Sequence, residues 1–249
     1  MSKSNQVPKT SYLLLAILLQ FSKTALTAQE SRQSAWLFSA GSYKIKGKLN
    51  VIYDVQFRTS DGWKQPETFI LRPALALTMP KGTQLSMGFA WVRNWRNVSG
   101  IRDGVNDNRI WQQWIKVQSF SSSTLQHRLR LEERFVSSLQ VSGNQLLKRN
   151  SQFNARLRYF NRFIQPFKKT GKLTKGPYWV LQNEIFVNLV GSKSTHGHIF
   201  DQSRTYAGTG IRLNTAIDLE LGWMAQYALG RNSNHIVNNI LQVSSFLRL

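Results

Sequence analysis

The alternation of apolar and polar residues along this 249-residue chain predicts an all-β protein, an antiparallel transmembrane β-barrel of about 10–12 strands. Three observations carry that expectation. Apolar side chains recur at every second position through most of residues 36–249, a spacing that gives a strand one greasy and one polar face. The alternating runs are roughly 10–13 residues long, beyond the five or six usual in globular sheets and close to the about 9–11 tilted residues that cross a bilayer. The links between them alternate short and long, as where periplasmic turns are tight and outer loops extended. A soluble sandwich would need shorter strands and would turn its apolar faces inward.

Composition narrows the field further. Eight Trp, fourteen Phe and seven Tyr supply too much aromatic surface for a disordered chain. The longest apolar run, Tyr12 to Leu19, is far short of the ~20 residues that a spanning helix needs. Without cysteine there is no disulfide framework, thiolate nucleophile or Cys-bound zinc.

From the N-terminus, Lys3 and Lys9 precede the apolar stretch Tyr12–Leu19, and Thr24, Ala25, Thr27 and Ala28 give a small-residue exit. Residues 1–28 therefore read as a signal peptide cleaved after Ala28, with residues 29–249 as the barrel and the outer membrane as its destination. Cleavage would take Lys3, Lys9 and Lys23 from a net charge of +21 and leave +18. Export, with no basic helix or stacking motif, argues against nucleic acid as the partner of so basic a chain.

The strands follow in order. Trp36–Ile45 reads as an accessory strand, a plug segment or half of an irregular pair in a twelve-strand barrel. Leu49–Arg58 sets Leu49, Val51, Tyr53, Val55 and Phe57 against Asn50, Asp54 and Arg58. Residues 69–79 and 85–92 repeat the rule, and a further strand precedes the turn at 120–124. Leu125–Phe135 is the clearest case, with Leu125, Leu129, Leu131 and Phe135 opposing Arg128, Arg130, Glu132 and Arg134. Residues 153–163, 179–189, 204–213, 217–227 and 237–249 complete eleven candidates. An even number would place both chain ends in the periplasm, so ten strands from Leu49, or twelve with an irregular pair, are expected. Trp36, Tyr43, Trp91, Trp95, Trp111, Trp179, Tyr206, Trp223 and Tyr227 fall near strand ends, where interfacial girdles sit. Long links are expected at 59–67, 95–108, 136–151, 191–202 and 229–235. The basic link 165–176, with Lys168, Lys169, Lys172 and Lys175, is long where a short turn is due.

Closing the sheet turns the polar faces into a lumen. It would hold Arg58, Arg72, Arg128, Arg130, Arg134, Arg156, Arg158, Arg162, Arg204 and Arg212, opposed by Asp54, Glu132, Glu184, Asp218 and Glu220. Bidentate guanidinium–carboxylate pairs zipping neighbouring strands together account for most of these residues. The surplus of arginine leaves donors for small anionic solutes, a porin-like or binding role. Lysines near strand ends (Lys44, Lys46, Lys48, Lys81) suit the headgroups of outer-membrane lipid or lipopolysaccharide. The alternative is a barrel enzyme acting on lipid or lipopolysaccharide. Its candidate residues are few: His127 has lipid-facing parity, His196 and His198 share a loop near Asp201, and His235 precedes the last strand. No Gly-x-Ser-x-Gly elbow and no metal-ligand set occurs, so no cofactor and no metal are expected.

Six segments in series resemble the DUF2490 family: Arg109-Ile110-Trp111-Gln112-Gln113, Arg128 to Arg134, Arg156-Leu157-Arg158-Tyr159, Asn183 to Asn188, Phe200 to Tyr206, and Leu219 to Met224. The resemblance runs from Trp36 to Leu249. It implies an outer-membrane barrel of Gram-negative bacteria, inserted by the outer-membrane assembly machinery, with no established activity and no catalytic residues to carry over. The ending Phe246-Leu247-Arg248-Leu249 departs from the terminal aromatic that commonly serves that machinery as a signal.

Overall fold

The structure is a computed structural model that describes residues 30–168, 173–191, 197–230 and 234–249. The expected signal peptide, His196, Lys169 and Lys172 lie outside the described residues. Eleven strands close into one barrel: β1 (Glu30–Lys46), β2 (Leu49–Ser60), β3 (Gln65–Met79), β4 (Thr83–Val98), β5 (Ile101–Ser119), β6 (Thr124–Ser142), β7 (Gln145–Pro166), β8 (Gly176–Val190), β9 (Phe200–Arg212), β10 (Ile217–Leu229) and β11 (His235–Arg248).

Sequence neighbours pair antiparallel all the way round, but β1 pairs with β11 in parallel, from Glu30↔Ile236 to Ser42↔Arg248. The even count expected from the sequence is therefore overturned, and so is the accessory or plug role for residues 36–45. That segment is a full barrel strand, paired with β2 on one side and β11 on the other. An odd number of strands puts Glu30 and Arg248 at opposite rims. We call these the N-terminal rim, where β1 begins, and the C-terminal rim, where β11 ends.

A walk through directly paired residues shows the stagger. It runs from Lys44 through Asn50, Ala76, Ser86, Gln113, Arg130, Arg158, Phe186, Gln202, Ala228 and Ile236 and returns to β1 at Glu30, near its other end. A shear of that size tilts the strands by roughly 35–45° and leaves an interior wide enough for side chains and solvent-sized cavities.

The links expected at 95–108 and 136–151 are mostly ladder. β4 and β5 stay paired to a tight turn at Ser99 and Gly100, both at positive φ (51° and 84°), and β6 and β7 to a turn at Gly143. Two-residue turns with positive φ match the twist of the strands they join. Polar sequence hid these extensions, because a ladder standing beyond the barrel wall needs no apolar face. The two hairpins lean together: the Leu146 backbone N–H donates to Asp103 Oδ2 at 3.2 Å, and Leu146 is buried. At the opposite rim the turns after β1, β3, β5 and β9 are short, while residues 167–175 join β7 to β8.

Side-chain parity separates two surfaces. Leu75, Leu77, Met87, Phe89, Leu129, Leu219, Leu221, Trp223 and Val243 are exposed on the outer wall. Inside, Trp36, Tyr178, Val180, Tyr206, Met224 and Ile240 pack as one cluster, and Ile70, Ala74, Ala90, Val92 and Trp111 as another. Trp36, Trp111 and Tyr206 thus leave the expected girdle and fill the interior. Glycines make room for the tyrosines: a Cβ on Gly210 would meet Tyr178 Cζ at 2.5 Å, and one on Gly222 would meet Tyr206 Cζ at 2.5 Å.

Candidate functional site: the lumenal arginine network

Because β6, β7, β8, β9 and β10 each turn their even-numbered residues inward, Arg128, Arg130, Arg134, Arg156, Arg158, Arg162, Arg204 and Arg212 all face the lumen with Glu132, Glu184, Asp218 and Glu220. The network has two hubs. Glu132, 2% exposed, accepts from Arg156 Nη2 at 2.6 Å and from Arg158 Nη1, with Arg109 Nη1 at 3.5 Å. Glu184 accepts from Arg128 Nη2 and Arg158 Nη2, each at 2.7 Å, and lies 3.9 Å from Arg204 Nη1. Arg158 joins the two hubs. Arg156 also donates to Asp201 at 2.7 Å, and Arg109 and Arg134 share Asp107.

Closer to the C-terminal rim, Arg162 pairs with Glu220, which also accepts from Tyr178 Oη at 2.8 Å. Asp218 takes both Arg212, at 2.8 Å, and Arg248. Across the lumen Arg72 pairs with Asp54 at 2.7 Å.

Of the arginines expected in the lumen, Arg58 and Arg130 make no ion pair among the described residues. Arg58 donates to Gln56 Oε1 and lies over the Trp36 ring at 4.0 Å, and Arg204 crowds the same ring at 4.9 Å. Arg130 donates to Gln113 Oε1 at 2.7 and 3.1 Å and lies over Trp111 at 4.3 Å. Indole faces substitute here for carboxylates, since a guanidinium is attracted to the ring's negative face. Several buried donors nonetheless lack a partner among the described residues: Trp36 Nε1, Arg204 Nε, Arg128 Nε and Arg130 Nη1.

Two cavities lie in the lumen among the described residues. One opens at the N-terminal rim, measures about 1,070 Å³, and is lined by nine arginines (Arg32, Arg58, Arg72, Arg96, Arg109, Arg134, Arg156, Arg158, Arg204) against Glu67 and Asp201. The other opens at the C-terminal rim and measures about 640 Å³. Trp36, Arg72, Arg158 and Arg204 border both, so the two cavities meet at these side chains, here called the septum.

Sequence parity missed Asp107, Arg109 and Asp201, because Asp107 falls in a segment read as loop and Asp201 at a strand's edge. It also missed the aromatic lining. Phe160 and Phe186 share the even parity of Arg158 and Glu184, and that parity is the signal that would have found them.

Among the described residues, His127 and His235 each stand beside a tyrosine. His127 Nδ1 bonds Tyr159 Oη at 2.8 Å on the outer wall, and His235 bonds Tyr227 Oη. Among the described residues no group of three or more His, Cys, Asp or Glu is placed to hold a metal ion.

The sequence profile of a family described as a protein of unknown function, DUF2490, matches residues 33–237. An uncharacterized protein of Methylorubrum extorquens is 27% identical over 240 residues, covering 95% of this chain and 97% of its own length. No solved structure matches.

Proposed function

This chain belongs to the DUF2490 family, and from its geometry we propose that it is an integral outer-membrane β-barrel that holds small anionic solutes in a basic, blind-ended lumen. Contiguous apolar patches on monomeric soluble proteins rarely exceed a few hundred Å². The exposed leucines, phenylalanines and tryptophans around this wall support contact with lipid. With the C-terminal rim toward the periplasm, the extended β4–β5 and β6–β7 hairpins and the larger cavity face outward. Lys46, Lys48 and Lys81 at the periplasmic rim suit anionic lipid headgroups, and export with insertion by the outer-membrane assembly machinery accords with such a barrel.

The observation that carries the solute reading is Arg58, a lumenal guanidinium with an indole but no carboxylate, on the floor of a cavity with nine arginines and two acids. An arginine without an ion pair, set among further arginines, suits capture of phosphate or of an acidic sugar. The septum at Trp36, Arg72, Arg158 and Arg204 favours retention over passage, in place of an open pore.

Isothermal titration of pyrophosphate into the barrel in lipid nanodiscs tests the reading. Saturable binding that Arg58→Gln weakens about tenfold supports it, while anion binding no stronger than to empty nanodiscs sinks it. Planar-bilayer recording of the same protein should give little conductance, and a steady cation-selective current would overturn the blind-ended lumen.

A further inference from the structure

The cavity at the C-terminal rim differs from its neighbour in chemistry as well as size. Its floor is cationic: Arg72, Arg128, Arg130 and Arg158 line it, with Asp54 and Glu184 as opposing charges. Between that floor and the rim the wall is mixed: Ile52, Ile115, Val117, Phe160, Ile164 and Phe246, each half-buried, border the cavity beside Gln126, Arg162 and Gln182. Apolar side chains that pack against one another bury their surface, so a half-buried ring around a cavity leaves apolar area for something else to cover.

Arg130 is the second, independent observation. It is 3% exposed, has only a glutamine and an indole as partners, and keeps Nη1 without a hydrogen bond. Arg128 beside it has a partnerless Nε. A buried guanidinium donor without an acceptor is costly, and a ligand oxygen would supply what is missing.

We propose that this second cavity binds a monocarboxylate with a single unbranched apolar tail, its carboxylate between Arg130 and Arg128 and its tail running along Ile115, Val117, Phe160 and Ile164 to the C-terminal rim. The volume, about 640 Å³, lies in the range of sites for small ligands. The site is separate from the one at Arg58: the septum divides them, and one takes a compact, strongly charged anion while the other needs a tail. A tail with a cationic head would meet, among the described residues, Asp54, Glu184 and Asp218, which Arg72, Arg128, Arg158, Arg212 and Arg248 already occupy.

Titration of octanoate into the barrel in nanodiscs, against empty nanodiscs as blank, tests the proposal. Acetate, octan-1-ol and octylammonium serve as comparison ligands. The expected result is one saturable octanoate site, at least about tenfold tighter than any of the three. Arg130→Gln should weaken octanoate about ten- to hundredfold, the range for a charge-assisted hydrogen bond, and leave pyrophosphate binding unchanged. Val117→Trp, which narrows the mouth without altering charge, should weaken octanoate and leave acetate alone. Arg58→Gln should affect pyrophosphate alone, so failure of one site is distinguishable from failure of the other. Mobility of the unboiled protein on a gel checks that each variant is folded. Octan-1-ol binding as well as octanoate, or an octanoate affinity that survives Arg130→Gln in a folded barrel, would overturn the proposal.

Discussion

Neutralising Glu132 should damage the barrel more than removing the arginine it holds most closely, and the reason lies in the charge balance around it. Glu132 is 2% exposed and serves Arg109, Arg156 and Arg158 at once. Each of these arginines has a second acid: Asp107, Asp201 and Glu184, all at 2.7 Å. Glu132→Gln therefore strands no guanidinium completely, but it removes one negative charge from a region already short of them. Breaking a buried ion pair by deleting one partner costs about 3–5 kcal/mol. The surviving acids, and the amide oxygen that glutamine retains, place the loss near the lower end, about 3 kcal/mol.

Arg158→Met has the opposite sign of charge change. It leaves Glu132 with Arg156 and Arg109, leaves Glu184 with Arg128, and relieves repulsion from Arg130, its direct cross-strand partner. Methionine also keeps much of the packing against Phe186, over which the guanidinium sits at 4.6 Å. A cost of about 1–2 kcal/mol follows, clearly below that of the acid. Urea unfolding of the refolded barrel in micelles, followed by tryptophan fluorescence, measures both. If Arg158→Met proves as costly as Glu132→Gln, the lumen is not acid-limited and the inferred surplus of cations is wrong.

Three further outcomes test other parts of the structure. Leu221, 53% exposed on the outer wall, replaced by arginine should destabilise the barrel by about 2–4 kcal/mol in lipid; a change within about 0.5 kcal/mol in the same unfolding assay would place that wall in water. Gly210→Val should cost about 2 kcal/mol or more, since Tyr178 lies 2.5 Å from the new Cβ and is held by Glu220, whereas a melting temperature equal to wild type would mean that the tyrosine yields freely. The chain has no cysteine, so Ser39→Cys with Ser245→Cys reports on closure without background. These paired residues share a hydrogen bond of 2.9 Å between β1 and β11, and copper-driven oxidation should lock them as a disulfide. A ten-stranded barrel closed by β2 against β11 would leave the thiols apart and unreacted.

Much of this fold was legible because a barrel imposes the same period on every strand. Leu125 to Phe135 could be assigned face by face, since Leu129 and Arg130 must take opposite sides of any strand, and β6 does so. Closure was harder to read. Parity says which way a side chain points but not which strand lies beside it, so residues 36–45 looked dispensable until their pairing with both β2 and β11 was known. The hairpin extensions failed for a related reason: Arg96-Asn97-Val98 and Gln140-Val141-Ser142 carry no apolar stripe, and backbone hydrogen bonds leave no mark on composition.

The aromatic lining shows where the period misleads. Tryptophan near a strand end reads as an interfacial anchor, yet Trp36 and Trp111 have the parity of Arg58 and Arg130 once register is fixed, and they lie beneath those guanidinium groups. Parity outranks proximity to an end, because a one-residue displacement would move a whole strand's charges into the outer wall. The same ring–cation contacts explain how the interior keeps more arginines than acids. A stacked guanidinium is partly stabilised while retaining N–H groups at its edge, so Arg58 and Arg130 can stay charged without a carboxylate and still have donors for one. If the network served only to zip strands together, arginines and acids would be expected to balance on both sides of the septum. Both cavities are instead bordered by more arginines than acids, seven against three at the smaller and nine against two at the larger, and the greater excess at the larger fits a vestibule that takes negative charge from solution.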